Sequence, residues 1–270
     1  MGILSKDKND FTFYPDLGKQ CFRRDVELKN LKNYKPLEFS KELVHGRLIK
    51  RYKRFLADVE LDNSEVVTAH CTNSGSMKTA LEEGAEVYLT YHGDPKRKTQ
   101  YTWEMIKING DWVGINTNHP NLIAYEAIRD GTIDKLRGYT NVQREVKTGQ
   151  SRIDVYAENE REKCFVEVKN VTMKEGDYAV FPDAVTSRGQ KHLDELIKVK
   201  ERGIRAVMFY VVQRSDVNSF APAWDIDPDY ATKLEEAYGI GMEVIAVHAK
   251  VTPQEITITG ELPFVLKPGL

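Results

Sequence analysis

Cysteine is scarce in this sequence. The three cysteines, Cys21, Cys71 and Cys164, are odd in number and widely separated. There is no Cys-x-x-Cys pair, and no histidine stands at the spacing that a zinc site needs. The composition therefore argues against a disulfide-stapled domain and a zinc-binding fold, and we expect three reduced thiols in a cytoplasmic protein.

Long hydrophobic runs are also absent. The longest uninterrupted apolar run, Ala206–Val212, has seven residues, whereas a membrane-spanning helix needs about 18. The N-terminal residues MGILSKDKND have no apolar core of the length that a signal peptide requires. We therefore expect neither a membrane span nor a secretory signal.

The chain has no excess of either charge. Its 39 basic and 41 acidic residues give a net charge of −2 and a pI near 6.3. This balance argues against a global electrostatic attraction to nucleic acid, so any such binding must depend on local basic clusters.

Length and periodicity divide the chain into three parts. Residues 1–35 show little periodicity and form an extension whose role the sequence does not indicate. Residues 36–116 contain short β-like runs separated by turn residues, which predicts a small closed barrel of the OB type. The five predicted strands are Arg47–Leu61, Glu65–His70, Ala85–His92, Gln100–Ile108 and Trp112–Asn116.

Two basic clusters lie in the predicted barrel. One runs Lys50-Arg51-Tyr52-Lys53-Arg54-Phe55 and the other is Lys96-Arg97-Lys98. Cations beside aromatic rings suit nucleic-acid binding, because cations neutralise phosphates and rings stack on bases. The alternative is a solvated surface with no ligand.

Residues 117–270 show longer periods that alternate with strand patterns. This order predicts an α/β domain, a mixed sheet flanked by helices. The predicted elements are a helix from Pro120, strands at Asn141–Lys147, Ser151–Ala157 and Lys163–Val171, a helix from Gly189 to about Glu201, a strand at Ile204–Gln213, a helix from Asp227 to about Tyr238 and a strand at Met242–Val251.

A predicted hairpin in this domain carries the residues that suggest chemistry. Strict alternation places Asp154, Glu167 and Lys169 on one face, and Ile153 and Val155 on the other. Two carboxylates and an ammonium suit Mg²⁺ together with a phosphate, because Mg²⁺ takes one or two carboxylates and completes its shell with water and phosphate oxygens. The alternative is an exposed ion pair, since the same Glu-x-Lys triplet also occurs at residues 27–29 and 145–147.

Two further polar residues fall on apolar helix faces. Glu126 shares a face with Leu122 and Ile123, so it is either a third acid at the metal site or the partner of Arg129 or Arg152. Gln190 begins the core-facing stripe of its helix and either supports the site or satisfies backbone groups.

In order and context, Glu126, Asp154, the triplet Glu167-Val168-Lys169 and Gln190 resemble the pattern of the PD-(D/E)XK nucleases. More specifically, the strings RYKRFLADVEL, GINTNHPN, SRIDVY, CFVEVKNVT, FPDAVTSRGQKHL and DIDPDYA resemble the sugar fermentation stimulation protein (SfsA) family. Two features depart from that pattern: the first 35 residues, and Cys71-Thr72-Asn73-Ser74 where Cys-Pro-Asn-Thr is expected.

The resemblance implies an OB-like domain followed by a nuclease-like domain in a cytoplasmic DNA-binding protein linked to sugar (maltose) metabolism. It also implies that Asp154 and Glu167 bind Mg²⁺ or Mn²⁺, that Lys169 is the catalytic lysine, and that Glu126 and Gln190 support them. Two hypotheses follow: a metal-dependent nuclease, or a non-catalytic DNA-binding regulator that retains the fold. The sequence leaves the preferred nucleic acid and the formation of a homo-oligomer open.

Overall fold

The computed structural model describes residues 34–148 and 151–268. Most of the predicted extension, residues 1–35, and Cys21 with it, therefore lie outside the described residues. In the part of the chain that is described, no helix is long and apolar enough to cross a membrane.

The barrel comprises six strands: β2 (Val44–Tyr52), β3 (Leu56–Leu61), β4 (Val66–His70), β5 (Glu86–Tyr91), β6 (Tyr101–Ile108) and β7 (Asp111–Gly114). The sheet has the order β4-β3-β2-β5-β6-β7, and a parallel pairing of β4 with β6 closes it. Inward side chains such as Leu48, Val59 and Trp103 fill the interior. The predicted OB-like barrel is confirmed.

The predicted first barrel strand, Arg47–Leu61, is wrong in one respect, because it is a hairpin of two strands. The chain reverses at Lys53 and Arg54, which have φ angles of 50° and 66°. Two consecutive positive φ angles are typical of the tight type I′ turn, which normally selects Asn and Gly. With Lys and Arg in those positions, the sequence carries no turn signal.

The second domain is built on a mixed seven-stranded sheet. Its strands are β1 (Leu37–Glu38), β8 (Asn141–Thr148), β9 (Ser151–Glu158), β10 (Lys163–Val171), β13 (Arg205–Val212), β15 (Glu243–Val251) and β16 (Glu255–Leu262). Their order across the sheet is β1-β16-β15-β13-β10-β9-β8. Strand β10 pairs in parallel with β13, and β13 with β15, while the outer pairs are antiparallel. A small sheet adds β11 (Met173–Glu175), β12 (Tyr178–Phe181) and β14 (Ser219–Pro222).

Helices cover both faces of the large sheet: α1 (His119–Arg129), α2 (Ser187–Glu201) and α3 (Pro228–Gly239). Helix α1 packs in one core cluster, and α2 and α3 pack in another. The α2 and α3 helices begin where Thr186 and Asp227 accept hydrogen bonds from backbone amides of the first turn, at 3.0 Å in each case. The predicted mixed sheet flanked by helices is confirmed.

The first described strand belongs to a different domain from the one predicted. Leu37 and Glu38 form β1, which pairs with Ile256 and Glu255 of β16 in the large sheet. Residues 36–116 were predicted to form the barrel, but the barrel itself begins at Val44. The sequence could not indicate this, because the partner strand is more than two hundred residues away.

The two domains meet through a close backbone approach. A Cβ atom at Gly75 would lie 2.2 Å from both carboxylate oxygens of Asp183, so any larger residue there would displace that carboxylate. Asp183 Oδ2 also accepts a hydrogen bond from the backbone N–H of Met77 at 3.1 Å. The barrel loop is thereby fixed beside the segment that leads into α2.

Candidate active site

Asp154 lies where strand β9 separates from β10. The ladder between these strands ends at the pair Val155 and Val166, and Asp154 and Glu167 are the next residues. Beyond the end of the ladder, Asp154 Oδ2 accepts a hydrogen bond from the backbone N–H of Val168 at 2.9 Å. The separation also corrects the predicted faces, because Ile153 packs in the core cluster of α2 whereas Val155 packs in that of α1.

Asp154 is held from a second side by helix α1. Asn121 Nδ2, in the first turn of that helix, donates to Asp154 Oδ1 at 2.8 Å. Burial and the nearby charge of Glu167 together raise the pKa of Asp154 to about 6. The two carboxylates are therefore close enough to repel one another, as the prediction of a common face requires.

Glu167 is almost fully buried, with 3% of its side chain exposed. Its Oε1 accepts a hydrogen bond from Lys169 Nζ at 2.7 Å and contacts His192 Nδ1. Burial alone would raise the pKa of Glu167, but the hydrogen bond from His192 and the charge of Lys169 outweigh it, and the pKa lies below its ordinary value. Glu167 is thus kept ionised beside a carboxyl group with a raised pKa.

Lys169 lines a cavity of about 330 Å³ to which both domains contribute. Asn121 and Asp183 line it from the second domain, and Arg54 and Ser74 from the barrel. The ammonium of Lys169 lies 3.0 Å from His192 Nδ1 and remains 13% exposed. A substrate in the cavity would therefore meet this charge directly.

The donor set fits a hard divalent cation. Asp154 and Glu167 supply the one or two carboxylates that Mg²⁺ usually takes from a protein, and a cation between them would relieve the repulsion that raises the pKa of Asp154. Glu167 Oε2 makes no hydrogen bond within the described residues. Across those same residues there is no group of three or more His, Cys, Asp or Glu side chains that could hold a metal, so any further ligands would be backbone or amide oxygens, water or phosphate oxygens.

The structure does not bring Glu126 to this site. Its carboxylate pairs with Arg129, one of the two structural partners considered above. Five helical positions separate Glu126 from Asn121, which rotates its side chain by about 140° around the helix. Glu126 is half-buried, and the residue of this helix that contacts Asp154 is Asn121.

Gln190 also bonds elsewhere, and a neighbouring residue of α2 contacts the site instead. Its amide donates to Asp227 Oδ1 at 2.9 Å, and Asp227 caps α3. His192, two residues later, is the α2 side chain that contacts Glu167 and Lys169. Sequence reasoning missed both Asn121 and His192. The available signal was a polar residue near the start of each helix, but it did not distinguish these residues from their neighbours.

The first basic cluster divides into internal and exposed residues. Arg51 donates to the backbone carbonyls of Arg54, Asn73 and Gly75 at 2.7 to 2.9 Å, so its guanidinium holds the barrel loop rather than facing solvent. Tyr52 donates to Asp58 Oδ1 at 3.0 Å.

Three cations of this cluster remain exposed: Lys50, Lys53 and Arg54. Arg54 lines the same cavity as Lys169 and donates to the carbonyl of Ser74 at 3.0 Å.

The second basic cluster lies in the loop between β5 and β6, where Lys96, Arg97 and Lys98 are exposed. Arg97 also lines a separate, larger cavity. The first cluster therefore reaches the cavity that Lys169 lines, and the second borders another cavity.

Comparisons with known proteins agree with this architecture. Residues 49–115 match the model of the SfsA N-terminal OB domain, and residues 118–255 match that of the sugar fermentation stimulation protein RE domain. A sugar fermentation stimulation protein homolog from Geobacter metallireducens is 51% identical over 226 residues, which is 83% of this chain and 97% of that protein. A homolog from Synechococcus is 45% identical over 225 residues, covering 83% and 94%.

A solved structure shares the whole architecture. The structure of Pyrococcus furiosus SfsA in complex with Ca²⁺ superposes with a TM-score of 0.78 at 30% identity, covering 86% of this chain and 99% of that chain. Both domain models, the curated relatives and this structure give one answer: the chain belongs to the sugar fermentation stimulation protein (SfsA) family, with an OB-like barrel followed by a nuclease-like domain.

Proposed function

We propose that this protein binds DNA and hydrolyses phosphodiester bonds with the help of a divalent metal ion. One observation carries the proposal: Asp154, Glu167 and Lys169 converge beside a cavity that opens between the barrel and the nuclease-like domain. Two carboxylates close enough to repel one another, next to a lysine, are suited to a cation and a phosphate.

Asp154 and Glu167 would hold the cation. When bound, Mg²⁺ or Mn²⁺ neutralises the phosphate and lowers the pKa of a coordinated water. Lys169 presents a fixed positive charge to the phosphate oxygens as negative charge develops on them. Asn121 and His192 are positioning residues, since the first holds Asp154 and the second holds Glu167. The Ca²⁺ in the Pyrococcus relative supports the use of a divalent cation here.

The barrel would guide the nucleic acid to the cavity. Lys50, Lys53 and Arg54 are exposed on the hairpin that borders it, and their charges would attract phosphates even though the net charge of the protein is −2. We place this activity in the cytoplasm. The free, buried thiols of Cys71 and Cys164 support that assignment.

A second candidate is a non-catalytic DNA-binding regulator of sugar metabolism that retains the nuclease fold. The position of Glu126 favours it, because the acid that would extend the metal site pairs with Arg129 instead. The two candidates differ in turnover and agree on DNA binding.

Substitutions at the site separate the candidates. Glu167→Ala and Lys169→Ala should abolish Mg²⁺- or Mn²⁺-dependent cleavage while leaving DNA affinity largely intact. Lys147→Ala is the matched control, since Lys147 ends the other described Glu-x-Lys triplet and is exposed. Cleavage would be measured on single- and double-stranded DNA and RNA, with each metal and with EDTA. Cleavage that persists in both site variants would reject the assignment, and absence of cleavage in the wild-type protein would favour the regulator.

A further inference from the structure

A second cavity, of about 700 Å³, lies between the barrel and the start of helix α1. Thr72 and Thr117 line both this cavity and the catalytic one, so the two are neighbours that share a wall. Thr72 Oγ1 builds that wall by accepting the Thr117 N–H at 2.9 Å and donating to Asn116 Oδ1 at 3.2 Å. Thr72 is one of the residues that depart from the family pattern quoted above.

The floor of this cavity is a buried, fixed carboxylate. Glu104 is 4% exposed and accepts hydrogen bonds from Thr90 Oγ1 and Asn116 Nδ2, both at 2.7 Å. His119 Nε2 lies 2.7 Å from Glu104 Oε2, the same oxygen that accepts the hydrogen bond from Asn116, whereas Thr90 donates to Oε1. These contacts outweigh the effect of burial, and the pKa of Glu104 lies below its ordinary value. The floor therefore presents an oriented acceptor among fixed donors.

Other polar groups line the cavity without protein partners. The imidazole of His70 and the amide of Asn118 make no hydrogen bond to any described residue, and the same holds for Nδ1 of His92 and of His119. Asn118 is informative because it occupies the N-cap position of α1 yet makes no side-chain cap bond, although asparagine is among the preferred caps. Its amide is left free to contact a ligand.

Cations stand among the residues that line the cavity. Lys41 Nζ reaches the carbonyls of Tyr91 and His92 only at 3.4 Å, and Arg97 reaches the carbonyl of Thr99 at 3.3 Å and Thr102 Oγ1 at 3.5 Å. Such long contacts are weak, so both cations can turn to an anion at little cost. The ring of Phe39, edge-on to His119 at 5.6 Å between centroids, adds an aromatic surface.

We infer that this cavity binds one unpaired nucleotide of the substrate strand, with the base against the polar floor and its phosphate at Lys41 and Arg97. The inference rests on the proposed function, because the neighbouring cavity would hold the scissile phosphate. Base edges offer donors and acceptors that match Glu104, Asn118 and the imidazoles. A base that enters a cavity has left its pair, so the substrate class is single-stranded or locally unpaired nucleic acid.

Binding in EDTA tests the inference independently of cleavage. A labelled single-stranded oligonucleotide and the duplex of the same sequence would be titrated with the wild-type protein, Arg97→Ala, Asn118→Ala and Lys98→Ala. The wild type should prefer the single strand. Arg97→Ala should weaken single-strand binding by about tenfold, and Asn118→Ala should weaken it less. Both should lower the ratio of single-strand to duplex affinity.

Lys98→Ala is the matched control, because Lys98 lies in the same loop but does not line the cavity. It should weaken both forms by the same factor and keep their ratio. An unchanged ratio in Arg97→Ala and Asn118→Ala, or a wild-type preference for duplex, would overturn the nucleotide site. Either result would contradict the nucleotide site without affecting the cleavage assignment. The cleavage assignment is tested separately, by the Glu167→Ala and Lys169→Ala variants.

Discussion

Asp154 owes its position to a side chain from another element. The hydrogen bond from Asn121 at 2.8 Å, together with that from the Val168 amide, fixes both carboxylate oxygens. Without Asn121, the carboxylate could rotate away from Glu167. The amide of Asn121 in the first turn of α1 therefore helps, together with the Val168 amide, to hold Asp154 beside Glu167.

Asn121→Ala should lower the rate of metal-dependent cleavage by about tenfold or more, because a hydrogen bond to a charged group contributes about 1.5 to 3 kcal/mol. Glu126→Gln, on the same helix, should retain the wild-type rate, because its partner is the exposed Arg129. Initial rates and thermal unfolding of both variants would check this. If Glu126→Gln lowered the rate more than Asn121→Ala, the supporting residue would be Glu126, as the family resemblance implies, and not Asn121.

Among the secondary-structure elements, the β2–β3 hairpin has both a strained backbone turn and exposed cations. Lys53 and Arg54 adopt left-handed conformations that cost L-residues with side chains about 1 kcal/mol or more each. Both remain exposed, and Arg54 borders the cavity that Lys169 lines. The turn thus retains two cations where asparagine and glycine would be more stable, which is consistent with a binding role.

Replacing Lys53-Arg54 by Asn-Gly should move stability and binding in opposite directions. The free energy of unfolding should rise by about 1 kcal/mol as the turn relaxes, while DNA affinity and its dependence on salt should both decrease. Lys53→Ala with Arg54→Ala is the control, because it removes the charges and keeps the strain. A lower melting temperature in the Asn-Gly variant would count against strain at this turn.

Across the whole molecule, a buried ion cluster joins the two domains. Arg214, 1% exposed, pairs with Asp216 at 2.7 Å and donates to the carbonyl of Thr172 and the hydroxyl of Thr79 at 2.6 and 3.0 Å. Lys174 Nζ also pairs with Asp216, at 3.0 Å. Burial opposes ionisation, but the hydrogen bonds from Arg214 and Lys174 hold the pKa of Asp216 well below its ordinary value.

Asp216→Asn should destabilise the protein at neutral pH by about 3 to 5 kcal/mol, because it leaves the buried Arg214 without its partner. Because the pKa of Asp216 is lower in the folded protein than in the unfolded chain, its ionised form stabilises the fold at pH values above the unfolded pKa of about 3.9. This stabilisation is lost as the pH falls through the folded pKa. The difference between wild type and variant should therefore shrink in acid. Asp194→Asn, which breaks the exposed pair with Lys233, should cost much less. Urea unfolding across pH would measure this, and a difference that grows in acid would refute the sign.

The barrel, the mixed sheet and the meeting of Asp154, Glu167 and Lys169 could be predicted from the sequence, because alternation along a strand is a local property. Alternation nevertheless misplaced Ile153, which packs on the opposite face from Val155. The pairing of β1 with β16, the internal role of Arg51, and the contacts of Asn121 and His192 with the site in place of Glu126 and Gln190 depend on the tertiary structure. Helical periodicity gives the buried face of a helix to within a few residues, but which polar residue meets a carboxylate depends on how the helix packs on the sheet, and distant segments set that packing.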